Sequence, residues 1–190
     1  MNITIDWVNP KELIPHEDVI MDLVQYNIHK IRNEKRISPI IVDKSRLIIL
    51  DGHHRYHAFL KLGIKDMPAI LVDYNSELIS IENWYVNIFP IPEISLTSEK
   101  DGNYCIRFIN KNILCSDSMY KLYWTEYRLE QKLTSLGFTV SKSKDIGLYS
   151  LPPIPKSVVI SISERGLVFP PKSTRHVYKF YIPREEVSLK

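Results

Sequence analysis

Two short apolar runs, Pro39-Ile40-Ile41-Val42 and Leu47-Ile48-Ile49-Leu50, flank a polar turn at Asp43-Lys44-Ser45, and the second run stops at Asp51-Gly52. Runs this short and this rich in β-branched residues predict buried strands, paired here as a hairpin. A helix is predicted to start at once after Gly52. Ala58, Phe59 and Leu62 supply its apolar face, and Gly63 stands where a helix C-terminal glycine belongs. Met67–Val72 reads as a further strand, which gives strand, turn, strand, helix and strand in succession. A strand that runs straight into a helix leaves backbone N–H groups unpaired at the positive end of the helix dipole. Gly52 lets an anion approach that backbone closely, and His53, His54 and Arg55 add side-chain donors suited to phosphate oxygens. Asp51 repels a bare phosphate, so its presence there points to a Mg²⁺ ion between the two.

The flanking sequence extends this unit on both sides. Ile3–Val8 reads as a strand closed by Asn9-Pro10, and Leu13–Glu17 as a loop. Val19, Leu23, Tyr26, Ile28 and Ile31 then recur near helical spacing. The two prolines within Phe89–Glu93 mark the end of a first lobe, so residues 1–92 and 93–190 are expected to form separate lobes. In the second lobe, Tyr104–Ile109 reads as a strand. A helix capped by Ser116 or Asp117 carries Met119, Leu122, Leu129, Leu133 and Leu136 and ends at Gly137. Leu151–Pro155 reads as a stiff connector, Val158–Ser163 as a strand, Glu164–Gly166 as a turn, and Val177–Ile182 as the last strand.

Composition narrows the function classes. The 190 residues, 44% hydrophobic and 25% charged, suffice for one sizeable core with a smaller appended lobe. A net charge of +3 with scattered basic residues favours small anionic ligands and points away from a dedicated nucleic-acid surface. Cys105 and Cys115 form no CxxC motif and no Cys/His cluster, which predicts reduced thiols and no zinc site. The sequence carries no signal-peptide pattern and no apolar run of the roughly 18–20 residues that cross a bilayer, so a cytoplasmic protein is expected.

Three further segments carry candidate chemistry. Phe169-Pro170-Pro171 leads rigidly into Lys172-Ser173-Thr174-Arg175-His176, a row of hydrogen-bond donors suited to a carboxylate, a phosphate or both. Pro15-His16-Glu17 sets a carboxylate after a proline-fixed turn. Trp84 lies in Ile81-Glu82-Asn83-Trp84.

Taken together, Asp51–Tyr56 with its apolar helix and Gly63, Pro15–Glu17, Pro39–Val42, Trp84 and Pro171–His176 resemble the free L-serine kinases of the ParB/sulfiredoxin-like superfamily. The resemblance implies an α+β fold: a ParB/sulfiredoxin-like N-terminal lobe with a mixed sheet and helices, plus a smaller C-terminal α/β lobe. It implies phosphorylation of free L-serine by ATP or ADP with Mg²⁺, and supply of O-phosphoserine for cysteine synthesis. Glu17 would be the general base, and Asp51 would lie beside the transferred phosphoryl group and its metal. Gly52, His53, His54 and Arg55 would hold the nucleotide phosphates. Trp84, Ser173, Thr174, Arg175 and His176, with Lys172 at the edge, would bind the amino acid, in a site completed where the last strands return Lys172–His176 over Asp51. A sulfiredoxin-type repair enzyme needs a cysteine where His53 stands. A non-enzymatic nucleotide-binding module, a kinase for another small alcohol and a ParB-like DNA-associated nucleotide switch remain open at this point.

Overall fold

In the computed structural model, which describes residues 4–92, 102–108 and 111–189, the strands and α-helices follow the order β1 (Asp6–Val8), α1 (Met21–Glu34), β2 (Arg36–Ile37), β3 (Ile40–Asp43), β4 (Ile49–Asp51), α2 (His53–Leu62), β5 (Met67–Val72), β6 (Ile79–Glu82), β7 (Tyr85–Phe89), β8 (Tyr104–Phe108), β9 (Lys111–Ser116), α3 (Met119–Ser135), β10 (Thr139–Ser143), β11 (Tyr149–Ser150), α4 (Lys156–Glu164), β12 (Arg175–Tyr178) and β13 (Val187–Ser188). The fold is α+β, as expected. Glu93 and Ile109, which the sequence reading assigned to a break and a strand end, lie outside the described residues, as does Ile3, the first residue of its N-terminal strand.

The chain divides into two units. The first comprises Met1–Ser80, Lys156–Pro171 and His176–Lys190, and the second Ile81–Pro155 with Lys172–Arg175. The first unit therefore takes up two segments that a break at residue 92 assigns to the second lobe.

The first unit is built on a sheet in the order β1-β5-β3-β4. β3 is buried at every position, pairs antiparallel with β4 and parallel with β5, and so forms the mixed centre of the sheet. α1 presents Val24, Ile28 and Ile31, and α2 presents Tyr56, Ala58 and Phe59, to a core shared with Ile40, Val42, Ile49, Met67 and Ala69 of the sheet. Each large side chain so buried contributes about 1.5–3 kcal/mol. The buried stripe of α1 differs in phase from the sequence reading: Tyr26 is 63% exposed and Leu23 is exposed, while Val24 takes the inner position. Val158–Ser163 is also corrected, because it lies inside the helix α4. Val159, Ile162 and Ser163 are its buried positions, a spacing of three and four residues that a short apolar run does not reveal by itself.

In the second unit, β7 is the central strand of an antiparallel sheet ordered β10-β7-β11, and β8 and β9 form a hairpin. The cap of α3 is Ser118, whose hydroxyl accepts the Lys121 N–H, rather than Ser116 or Asp117. The expectation of reduced thiols is corrected here. Hairpin register sets Cys105 directly opposite Cys115 with their Cα atoms 4.2 Å apart, and the two form a disulfide. Residue spacing alone could not show this, because it depends on which positions face across the turn.

α3 also buries two carboxyl groups one turn apart. Glu126 and Glu130 hydrogen-bond to each other, the Tyr149 hydroxyl donates to Glu126 at 2.9 Å, and Lys142 pairs with Glu130 at 3.3 Å. Burial, followed by the neighbouring Glu130 charge, raises the Glu126 pKa well above the usual carboxyl range. A carboxyl raised in the folded state stabilises fully below its unfolded pKa of about 4.3, and that stability is lost as pH rises toward the folded value. Glu126→Gln keeps an acceptor for Tyr149 and removes the charge. It is expected to raise the unfolding midpoint at pH 8 by a few degrees and to change little at pH 4, as measured by thermal unfolding at the two pH values.

Candidate functional site

The site in the first unit begins with an irregularity in β4. Ile41 pairs with Asp51 and Val42 with Ile49, so Leu50 is an extra residue, and this bulge falls just before the helix start. Bulges re-aim the side chains that follow them. Gly52 then takes φ +105°, and a Cβ there would lie 2.4 Å from the Ile40 Cγ2 atom and 2.9 Å from an Arg55 guanidinium nitrogen. The chain can therefore turn from strand into helix directly over β3 only at a glycine. The first turn of α2 carries no side-chain cap, and a helix start of this kind can receive an anion.

Arg55 spans this junction. Its guanidinium donates to the Ser38 and Pro39 carbonyls at 3.2 and 2.9 Å and pairs with Asp51 at 3.2 Å. Arg55 is thus held by the backbone leading into β3, while the Asp51 side chain stays 43% exposed. Magnesium is commonly held by one or two protein carboxylates together with substrate phosphates. The partly exposed Asp51, paired through one oxygen only, fits such a role. Among the described residues, no cluster of three or more His, Cys, Asp or Glu side chains is placed to hold a metal on its own.

His53 and His54 reach back to the segment that carries Glu17. The His16 amide donates to His53 Nε2 at 3.3 Å, and the Ile20 amide donates to His54 Nε2 at 3.1 Å. Both Nε2 atoms therefore act as acceptors, and neither ring offers that nitrogen as a donor. His16 in turn donates from Nδ1 to the Ile49 carbonyl at 2.6 Å. On the other side of Glu17, Phe169 donates to the His16 carbonyl and Asp18 donates to the Phe169 carbonyl, both at 2.8 Å. Glu17, only 8% exposed, is thus fixed from α2 on one side and from Phe169 on the other.

The His16 ring meets those of His53 and His176 edge-on, at 4.5 and 5.4 Å between centroids. Burial lowers the His16 pKa to about 4. Burial and then the neighbouring imidazoles push His53 and His176 well below their ordinary value. All three rings are neutral at pH 7, so the 3.9 Å approach of His16 Nε2 to the Glu17 carboxylate is not an ion pair. His176 Nε2 lies 2.8 Å from the Tyr74 hydroxyl, and Lys156 donates to the Tyr74 and Ser76 carbonyls. Sequence reasoning missed Tyr74, which stands in no motif, and it assigned His16 no role.

The remaining predicted residues belong to the second unit. The Trp84 indole N–H donates to the Thr174 carbonyl at 3.2 Å, and Ser173 and Thr174 are buried. Arg175 pairs with Glu82, and Lys172 is exposed with a left-handed backbone. Arg175 and Glu82 line a cleft of about 480 Å³ together with Asn83, Tyr85 and Lys144. The structure thus joins Trp84 to the Lys172–Arg175 loop within one unit, while Glu17, Asp51–Arg55 and His176 belong to the other.

No family model matches the chain. The chain is 46% identical to a ParB-like protein of Sulfolobus acidocaldarius over 99% of its own length and 98% of that protein. It is 29% identical to an ATP-dependent L-serine kinase of Staphylothermus marinus, covering 93% of this chain and 86% of that one. Among solved structures, a free serine kinase in complex with AMP superposes with a TM-score of 0.77 at 20% identity, over 97% of this chain and 92% of that one. No described helix is long and apolar enough to cross a membrane.

Gly52→Ala places a methyl group against Ile40 and imposes a positive φ on an L-residue. It is expected to cost about 2 kcal/mol or more of stability, from overpacking and backbone strain together, as read by urea unfolding. An unchanged unfolding midpoint would contradict this account of the junction.

Proposed function

The chain belongs to the ParB-like proteins, and we propose that within this family it acts as a kinase that phosphorylates free L-serine to O-phospho-L-serine. The observation that carries the proposal is the clamp on Glu17: the first two histidines of α2 grip the backbone on both sides of a buried carboxylate, from the same helix start that offers N–H groups to phosphate. The likeness to a protein named ATP-dependent L-serine kinase supports this reading, and ATP is the donor we assign.

Phosphoryl transfer depends on positioning and charge neutralisation more than on covalent help. Glu17 accepts the proton of the serine hydroxyl as the serine oxygen attacks the terminal phosphorus of ATP, and the bond from that phosphorus to the bridging oxygen breaks to release ADP. The α2 amides from Gly52 onward, with Arg55, hold the phosphates against the charge that develops. Asp51 would hold a Mg²⁺ ion, whose contribution is to neutralise phosphate charge. His53 and His54 serve their amides to the phosphates and their rings to the backbone around Glu17, which ties the base to the phosphate site. Trp84, Ser173, Thr174, Arg175 and His176, with Lys172, hold the amino acid. The product, O-phosphoserine, is a precursor suited to cysteine synthesis.

A positioned carboxylate base contributes about 10²–10⁴ in rate. Glu17→Gln is therefore expected to lower kcat by about that factor while ATP affinity, measured by calorimetry, stays within twofold of the native value. Near-native turnover of this variant would remove Glu17 from the role of base. Asp51→Asn is expected to lose turnover as well, and to lose the Mg²⁺ dependence of ATP binding.

A further inference from the structure

The cleft of about 480 Å³ lies wholly within the second unit, and four of its lining side chains are charged: Glu82, Lys144, Asp145 and Arg175. Two carboxylates and two cations leave the lining with no net charge. A phosphate or a lone cation meets as much repulsion as attraction there. A ligand that carries an ammonium and a carboxylate together finds a partner for each.

An exposed ion pair by itself is worth little, but this cleft has fixed walls. Arg175, whose side chain is 22% exposed, pairs with Glu82 and donates to the Lys144 carbonyl at 3.5 Å. Both contacts leave from the same guanidinium nitrogen, so Arg175 ties the end of β6 to the loop between β10 and β11. That loop carries Lys144 and Asp145 and is anchored on β7. The Asn87 amide and the Ser143 hydroxyl both donate to the Ile146 carbonyl, and Leu148 donates to the Val86 carbonyl at 2.8 Å. Gly147 lies so close to β7 that a Cβ there would be 2.7 Å from the Tyr85 Cβ atom and 2.8 Å from the Val86 carbonyl oxygen. The loop backbone is thus held, while the Lys144 and Asp145 side chains make no hydrogen bond or ion pair among the described residues.

We propose that this cleft binds the free amino-acid substrate as its zwitterion, with Arg175 and Lys144 on the α-carboxylate and Glu82 and Asp145 on the α-ammonium group. The assignment deepens the kinase reading, on which it rests for serine as the ligand. It adds Glu82, Lys144 and Asp145, to which the sequence reading gave no role, and it supplies a reason for selectivity. A serine inside a peptide has amides in place of both charged groups and leaves all four side chains without a partner. No bond is made or broken in the cleft; it holds the two ends of the amino acid that do not react.

The test sets two substitutions against two blocked ligands. Lys144→Gln and Asp145→Asn each remove one charge from an exposed loop with little change of shape. Calorimetry on the whole protein uses L-serine, N-acetyl-L-serine, which has no ammonium, and L-serine amide, which has no carboxylate. Asp145→Asn is expected to weaken L-serine and L-serine amide by about tenfold, the usual effect of losing a hydrogen bond to a charged group, and to leave N-acetyl-L-serine within about twofold of native. Lys144→Gln should weaken L-serine and N-acetyl-L-serine to the same degree and spare L-serine amide. In turnover, both variants should raise the KM for serine by about tenfold and keep kcat within about twofold, because these contacts are alike in ground and transition states. Native affinity for L-serine in both variants overturns the proposal, and so do losses that fall equally on all three compounds. Native protein that shows these differential losses yet makes no phosphoserine refutes the kinase reading and leaves the cleft assigned. Phosphoserine made with an unchanged serine KM in both variants does the reverse.

Discussion

The approach of Gly52 to Ile40 is the constraint from which the rest of the first unit follows. A backbone that passes so close to a central strand that a single Cβ would lie 2.4 Å from the Ile40 side chain fixes where α2 begins. It also fixes where the helix N–H groups point. The bulge at Leu50 sets the approach, and the Arg55 guanidinium, bonded to the Ser38 and Pro39 carbonyls, secures it from the far side. The buried stripe of α2 then packs with α1 over the sheet. The turn at Gly52 is therefore a consequence of core packing rather than a loop added to it.

The same turn governs the chemistry assigned to Glu17. A carboxylate can serve as a base only if it is held in place without being neutralised by a close cation. Here the groups that hold the segment are the His16 and His53 rings, kept neutral by burial, the His54 ring, which accepts a backbone N–H at Nε2, and backbone amides and carbonyls. Neutral rings fix the backbone on both sides of Glu17 through hydrogen bonds and bring no charge of their own. On the proposed reading, binding a phosphate at α2 and orienting Glu17 are two results of one helix start.

Much of this was legible in the sequence. The Pro39–Val42 and Leu47–Leu50 runs, the glycine at 52 and the glycine after Leu62 follow local rules, and the hairpin, α2 and its left-handed end form where those rules put them. Interactions decided by tertiary packing were not legible. The inner face of α1 slips by one position because Val24, rather than Leu23, meets the sheet. Val158–Ser163 has strand-forming residues but is wound into α4, where its spacing suits a helix face. Cys105 and Cys115 face each other only once hairpin register is set. His53 and His54 read as phosphate donors, yet their Nε2 atoms accept from backbone amides more than thirty residues away. Tyr74 meets His176 only because of what folds next to it.

The central claim is that the protein moves a phosphoryl group onto the hydroxyl of free L-serine. The most direct measurement is ³¹P NMR of the pure protein incubated with L-serine, Mg²⁺ and either ATP or ADP. The account predicts a new phosphomonoester signal that co-resonates with added O-phosphoserine and grows as the donor nucleotide is consumed. Nucleotide that binds but yields no phosphoserine with either donor would contradict it, and would leave the Asp51–Arg55 site a nucleotide-binding module without this activity.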